Sequence, residues 1–347
     1  MNKRNLTLIV ANLLLFAVGL GGVAYKHHAK SEDVAAVVVE KPVQGQTSPI
    51  NNKPELPPVK INVSNATPTY MNYLNTVAQL KKWNTEAPEM TEVGTYGKST
   101  RGTDLYYFRI VNKRYSKDIA KPTVLITACI HGNEPLASST VMWWIGGILS
   151  RYSADPKIAE MVDQRDIYFI PVVSPDSYPN SRQVDGVDPN RNFPTASDPN
   201  RRSVAPIQAL REFHAKIKPN AVISGHTWGR VFLIPWGDQM KNCPDHNEYK
   251  RVVGKMSELS GYRNMRACDM YGTNGLNNPP IEKDQYGTPI YGSEVDWYYR
   301  NGSFAIVCEF GKHQRVPSDE DTRAEFNLTF TSALHFIREA PLVQVRP

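Results

Sequence analysis

The stretch Val124-Leu125-Ile126-Thr127-Ala128-Cys129-Ile130 runs directly into His131-Gly132-Asn133-Glu134-Pro135. A short apolar run of this kind reads as a strand buried on both faces. His-x-x-Glu then puts an imidazole and a carboxylate at its carboxyl edge, where both can turn back onto a single cation. Zinc takes nitrogen and oxygen ligands of this sort, and a catalytic zinc site needs three of them with one position left open. By itself the motif more often describes a surface loop after a core strand.

On either side of this strand the chain alternates between the two periods of regular structure. Helices are expected over 70–84, with Leu74, Val77, Leu80 and Lys81 at helical spacing, and over 136–152, 156–164, 205–217 and 247–260. A last long helix is capped by Ser318 with Asp321 and ends near Arg338. Residues 91–96 and 105–111 read as a hairpin around a 97–102 turn, and 167–173, 221–224 and 303–310 as further strands. Between Val173 and Val204 lies a long polar loop. Strands alternating with helices and buried on both faces predict an α/β fold, a three-layer α/β/α sandwich. In such sheets ligands bind beyond the carboxyl ends of strands, which nominates the loops after Ile130, Val173, Ser224 and Val307.

The chain has 347 residues, 41% hydrophobic, with a net charge of +6 and no basic block of five or six residues. That balance builds a core and argues against nucleic-acid partners. Lys3 and Arg4 precede an uncharged segment, Leu6 to Tyr25, long enough to span a bilayer. Residues 1–25 are read first as a signal anchor and second as a cleaved signal peptide, because Gly22-Val23-Ala24 resembles a cleavage site. Residues 26–66 read as a Pro-rich flexible linker, leaving 67–347 as the catalytic domain. Either version exports the domain to the periplasmic side of the cell envelope, anchored to the inner membrane or released from it. Cys129 and Cys308 read as core residues. Cys243 and Cys268, in more polar surroundings, suit a disulfide if the domain is exported.

Ser224-Gly225-His226 closes a strand as Ile130-His131 does, so His226 is the natural third ligand beside His131 and Glu134. His214 and His335 fall within helices, and His246 and His313 are expected at the surface near the site. Water activation needs a base that is not itself a ligand. Glu309 stands at the end of the apolar strand Ala305-Ile306-Val307-Cys308 and meets that need. Arg182 and the loop Gly186-Val187-Asp188-Pro189-Asn190-Arg191-Asn192-Phe193-Pro194 offer a planar cationic fork with an amide beside it, suited to a carboxylate.

Taken in order, His131-x-x-Glu134, Asn190-Arg191, His226 and Glu309 resemble the zinc carboxypeptidase (M14) family over about residues 68–340. Asn190-Arg191-Asn192-Phe193-Pro194 is most similar to the branch holding the regulatory carboxypeptidases and murein-peptide amidases. The resemblance implies a mixed, mostly parallel central sheet and one zinc ion per chain on His131, Glu134 and His226. It implies Glu309 as base and then acid, and Arg182 as the group that stabilises the oxyanion. Asn190 and Arg191 would hold the terminal carboxylate of a peptide substrate. Tyr291 resembles the tyrosine that closes over substrate, with Tyr286 as the alternative because the spacing from Tyr291 to Asp296 is short. Ser174-Pro175-Asp176-Ser177 departs from the family's Asn-Pro-Asp-Gly, which is expected to alter the site rim.

An exported enzyme of this kind meets peptidoglycan first. The resulting expectation is a metallocarboxypeptidase that trims the C-terminal residue of murein stem peptides with zinc-activated water. The alternatives are a general exported exopeptidase, an aspartoacylase-like acyl-amino-acid hydrolase, and a non-catalytic peptide- or murein-binding module. The intact ligand set and base disfavour the last.

Overall fold

The computed structural model describes residues 61, 63, 69–115, 121–270 and 288–347, all within the unit Pro57–Pro347. The expected signal segment, most of the linker, and Tyr286 lie outside the described residues.

Helix α1 (Tyr73–Glu86) starts at Asn72, whose side chain accepts from Asn75 N. Then come β1 (Thr91–Lys98), β2 (Asp104–Ile110), β3 (Thr123–Ala128), α2 (Pro135–Arg151), α3 (Pro156–Gln164) and β4 (Asp166–Ile170). The second half holds α4 (Ala205–Ile217), β5 (Ala221–Thr227), β6 (Val231–Ile234), α5 (His246–Ser260) and β7 (Arg263–Arg266). It closes with the short α6 (Ala267–Met270), then α7 (Glu294–Arg300), β8 (Phe304–Phe310) and α8 (Asp319–Glu339). Ser318 and Asp321 form the expected capping box at the start of α8.

The eight strands of the described residues form one sheet in the order β1-β2-β4-β3-β5-β8-β6-β7. Its centre, β4-β3-β5-β8, is parallel throughout, and antiparallel pairings occur toward the two sides. Side chains alternate across it with the strand period of two. Val124, Ile126 and Ala128 of β3, with Phe304, Ile306, Cys308 and Phe310 of β8, face one core shared with α1, α2, α3, α5 and α8. Leu125, Val222, Ala305 and Val307 face the other, covered by Ile207, Leu210 and Phe213 of α4 and by Val295 and Tyr298 of α7. This is the expected three-layer sandwich with a mixed, mostly parallel sheet.

Some local expectations are corrected. Leu74 is 77% exposed, because Val77, Leu80 and Trp83 set the buried stripe of α1 one position round from it. His246 is buried at the start of α5 rather than at the surface. Cys243 and Cys268 are both free, buried thiols rather than a disulfide. Ile61 and Val63, assigned by composition to the linker, pack partly buried against the core, and Ile61 N donates to Ser153 Oγ at 3.0 Å. β6, β7 and α7 were absent from the sequence reading. No helix among the described residues is long and apolar enough to cross a membrane.

Candidate active site

Three adjacent parallel strands, β3, β5 and β8, end together, and the site lies at those ends. His131 follows β3 across Cys129, which adopts φ 50° and whose thiol donates to Glu134 O at 3.1 Å. The loop then passes so close to Ser177 that a Cβ on Gly132 would sit 2.4 Å from its backbone. Only glycine fits there. Glu134 ends the loop, and Pro135 opens α2 at a position where its missing N–H costs nothing.

β5 runs three residues further than its apolar run suggested, so His226 lies inside the strand. The register pairs His226 with Glu309 of β8, side by side on one face. This pairing brings together residues that are 83 positions apart (309 − 226) in the chain.

His131, Glu134 and His226 are all buried, and their donor atoms lie within 4.8 Å of one another. Each imidazole turns Nδ1 toward the Glu134 carboxylate, His131 at 2.9 Å from Oε1 and His226 at 2.9 Å from Oε2. The distal nitrogens are held by carboxylates too, His131 Nε2 at 2.9 Å from Asp188 Oδ1 and His226 Nε2 at 2.6 Å from Glu294 Oε1. Burial opposes charge on Glu134, but the two histidines outweigh it and push its carboxyl down to about 2. Burial likewise opposes charge on His226, yet Glu134 and Glu294 lift it well above the usual histidine range. This field favours positive charge at the cluster. Two imidazole nitrogens and one carboxylate oxygen match the donor set of a catalytic zinc, so these residues fit that ion.

Glu309 is buried beside this cluster, and its Oε2 has no hydrogen-bond partner. Burial raises its carboxyl to about 8, with Glu134 and Glu294 adding to the rise and His226 and Arg182 opposing it. Arg182 Nε and Nη2 donate to Asp188 Oδ2 at 3.1 and 2.9 Å, and its Nη1 is 3.6 Å from Glu134 Oε1. Asn190 and Arg191 form a single helical turn opened by Asp188, whose side chain accepts from Asn190 N. Asn190 Oδ1 accepts from Glu294 N at 2.8 Å, which leaves the amide Nδ2 available to a ligand. Tyr291 stands 57% exposed on the turn before α7, where Gly292 packs against Arg191 O.

All eight residues singled out from the sequence therefore belong to this end of the sheet, Tyr291 at its rim. Asp188, Glu294 and Gln314 were missed. Gln314 Nε2 donates to Glu134 Oε1 at 3.2 Å and to Thr227 O at 3.0 Å. Asp188 carried the one available signal, a carboxylate two residues before Asn190 in a motif already quoted. At the divergent Ser174–Ser177 segment, Asp176 accepts from Ser99 Oγ, Arg101 N and Thr103 Oγ1, tying the β1–β2 turn to the site rim.

The family model for zinc carboxypeptidase matches residues 76–332. The chain belongs to the zinc carboxypeptidase family. A zinc carboxypeptidase from Saccharothrix mutabilis subsp. capreolus is 25% identical over 262 residues, covering 60% of this chain and 58% of that one. Carboxypeptidase A2 from Rattus norvegicus is 27% identical over 230 residues, covering 56% and 52%. The chain thus spans a little over half the length of these relatives. Among solved structures, thrombin activatable fibrinolysis inhibitor superposes with a TM-score of 0.66 at 17% identity, over 79% of this chain and 75% of that one. The shared fold is that of the family, and the His-Glu-His cluster is the place its zinc would occupy here.

Proposed function

We propose that the chain is a zinc-dependent metallocarboxypeptidase that hydrolyses the C-terminal amide bond of a peptide. The observation that carries this reading is the β5–β8 register. It sets a buried carboxylate with an unpartnered oxygen, Glu309, beside a three-donor cluster fit for zinc. Zinc bound there would polarise the scissile carbonyl and acidify a water molecule. Glu309 takes the proton from the attacking water and delivers it to the leaving amine. Arg182, hinged on Asp188, stabilises the developing oxyanion. Asn190 Nδ2 and the Arg191 guanidinium receive the terminal carboxylate, and Tyr291 closes over the substrate from its exposed turn.

The substrate we propose is the stem peptide of murein, met on the periplasmic side of the inner membrane. Two sequence features support it, the uncharged segment Leu6 to Tyr25 and the similarity of Asn190–Pro194 to the murein-peptide amidase branch. Incubating the zinc-loaded full-length chain with purified muropeptides and reading products by mass spectrometry tests this. One residue lost from the stem, and blocked by chelator, is expected. Intact muropeptides with ordinary L-peptides trimmed under the same conditions would replace the murein assignment with general exopeptidase activity.

A further inference from the structure

Glu294 is completely buried, and it opens α7, an element of seven residues. Every polar atom of this residue except its own carbonyl is engaged within the site. Oε1 lies 2.6 Å from His226 Nε2, Oε2 accepts from Ser224 Oγ at 2.8 Å, and its backbone N donates to Asn190 Oδ1 at 2.8 Å. Ser224 is itself fixed by Thr127 Oγ1 of β3 at 3.2 Å. A buried carboxylate is costly unless it is paired and hydrogen-bonded. Among the described residues its ion-pairing contact is the His226 ring.

We propose that Glu294 is a positioning residue for His226, fixing the ring and its tautomer so that Nδ1 presents its lone pair to the metal. This rests on the metal-site reading given above. A carboxylate oxygen accepts from Nε2–H, so the proton of a neutral His226 sits on Nε2 and Nδ1 keeps its lone pair for the metal. A carboxylate on the distal nitrogen also makes the imidazole a stronger ligand. The same residue reaches the Asn190 side chain through its backbone N–H. One helix start therefore orients both a metal ligand and a group expected to meet the substrate. Asp188 serves His131 from the opposite side, but it is shared with Arg182 and partly open to solvent, whereas Glu294 is completely buried against His226.

Zinc affinity of the full-length chain, measured by competition with a chromophoric chelator, tests the assignment without reference to catalysis. Glu294→Gln keeps an acceptor for Nε2 and loses the charge, while Glu294→Met loses both. The expected order of affinity is parent, then Gln, then Met, with losses of about 10- to 100-fold. Ser224→Ala, which frees one carboxylate oxygen, is expected to weaken zinc less than either and guards against misfolding of the Glu294 variants. Circular dichroism and melting of the metal-free proteins check the fold. A folded Glu294→Gln protein that bound zinc within about twofold of the parent, a Ser224→Ala protein indistinguishable from the parent, or a Met variant that bound as well as Gln, would overturn the role. If the parent took up no zinc, the metal-site reading itself would fall, whatever the variants did.

Discussion

At the scale of single residues, chemistry and stability pull Glu309 in opposite directions. Its carboxyl is raised to about 8 because burial and the nearby Glu134 and Glu294 disfavour charge, yet a base must be ionised. A dipositive ion at the neighbouring cluster would favour the ionised form. Glu309→Gln preserves shape and removes the base. Turnover is expected to fall about 10²- to 10⁴-fold while zinc stoichiometry and fold are retained, read by steady-state kinetics beside metal analysis. Activity equal to the parent would exclude Glu309 as the base. The sequence made this residue legible, with His131 and His226, because each is a polar group at the end of an apolar run, and Glu134 followed from its His-x-x-Glu spacing. Glu294 and Gln314 were not legible. Their partners lie 68 and 180 positions away, and nothing in their local context marks them.

At the scale of elements, the metal cluster depends on how tightly the β3–α2 loop packs on the segment after β4. Gly132 is the contact point, with Ser177 C, O and Oγ all 2.4–2.5 Å from where a Cβ would be. Relief cannot come from a flexible side chain alone, because two of those atoms are backbone. Gly132→Ala is expected to cost about 1–3 kcal/mol by overpacking. The resulting shift of His131 and Glu134 should weaken zinc as well. Thermal melting and chelator competition on the same sample would show both losses, and a protein unchanged in both would mean the loop can move aside freely. The longer elements were readable because their period is sustained, as in α4, whose bounds the sequence matched. β6 and β7, at four residues each, are too short to show one. β7 also carries Arg263 and Arg266. The latter is buried through a pair with Asp269 at 2.8 Å that an alternation pattern does not reveal.

At the scale of the whole molecule, metal binding and folding are coupled through charge. The sheet ends concentrate Glu134, Asp188, Glu294 and Glu309 around two imidazoles, with Arg182 as the nearby fixed cation. In the metal-free protein Glu134 and Glu294 outweigh burial and raise the His226 pKa well above its unfolded value. The sign follows from linkage. A raised histidine pKa stabilises the metal-free fold below about pH 6.5, the unfolded value, and that contribution is lost as pH rises through the folded value. A ligand nitrogen must shed its proton to take a metal, so protons compete with zinc over the same range. Zinc binds the folded chain and leaves the unfolded one, which raises stability by about 2.7 kcal/mol at a hundredfold excess over its dissociation constant. That gain is expected to shrink as pH falls. Melting temperatures with saturating zinc and with chelator should therefore diverge between pH 6 and pH 8, with protons released on adding zinc to weakly buffered protein. A gap between the two curves that stayed constant with pH would mean that His226 is already neutral in the metal-free fold. No gap at any pH would mean that the cluster holds no zinc.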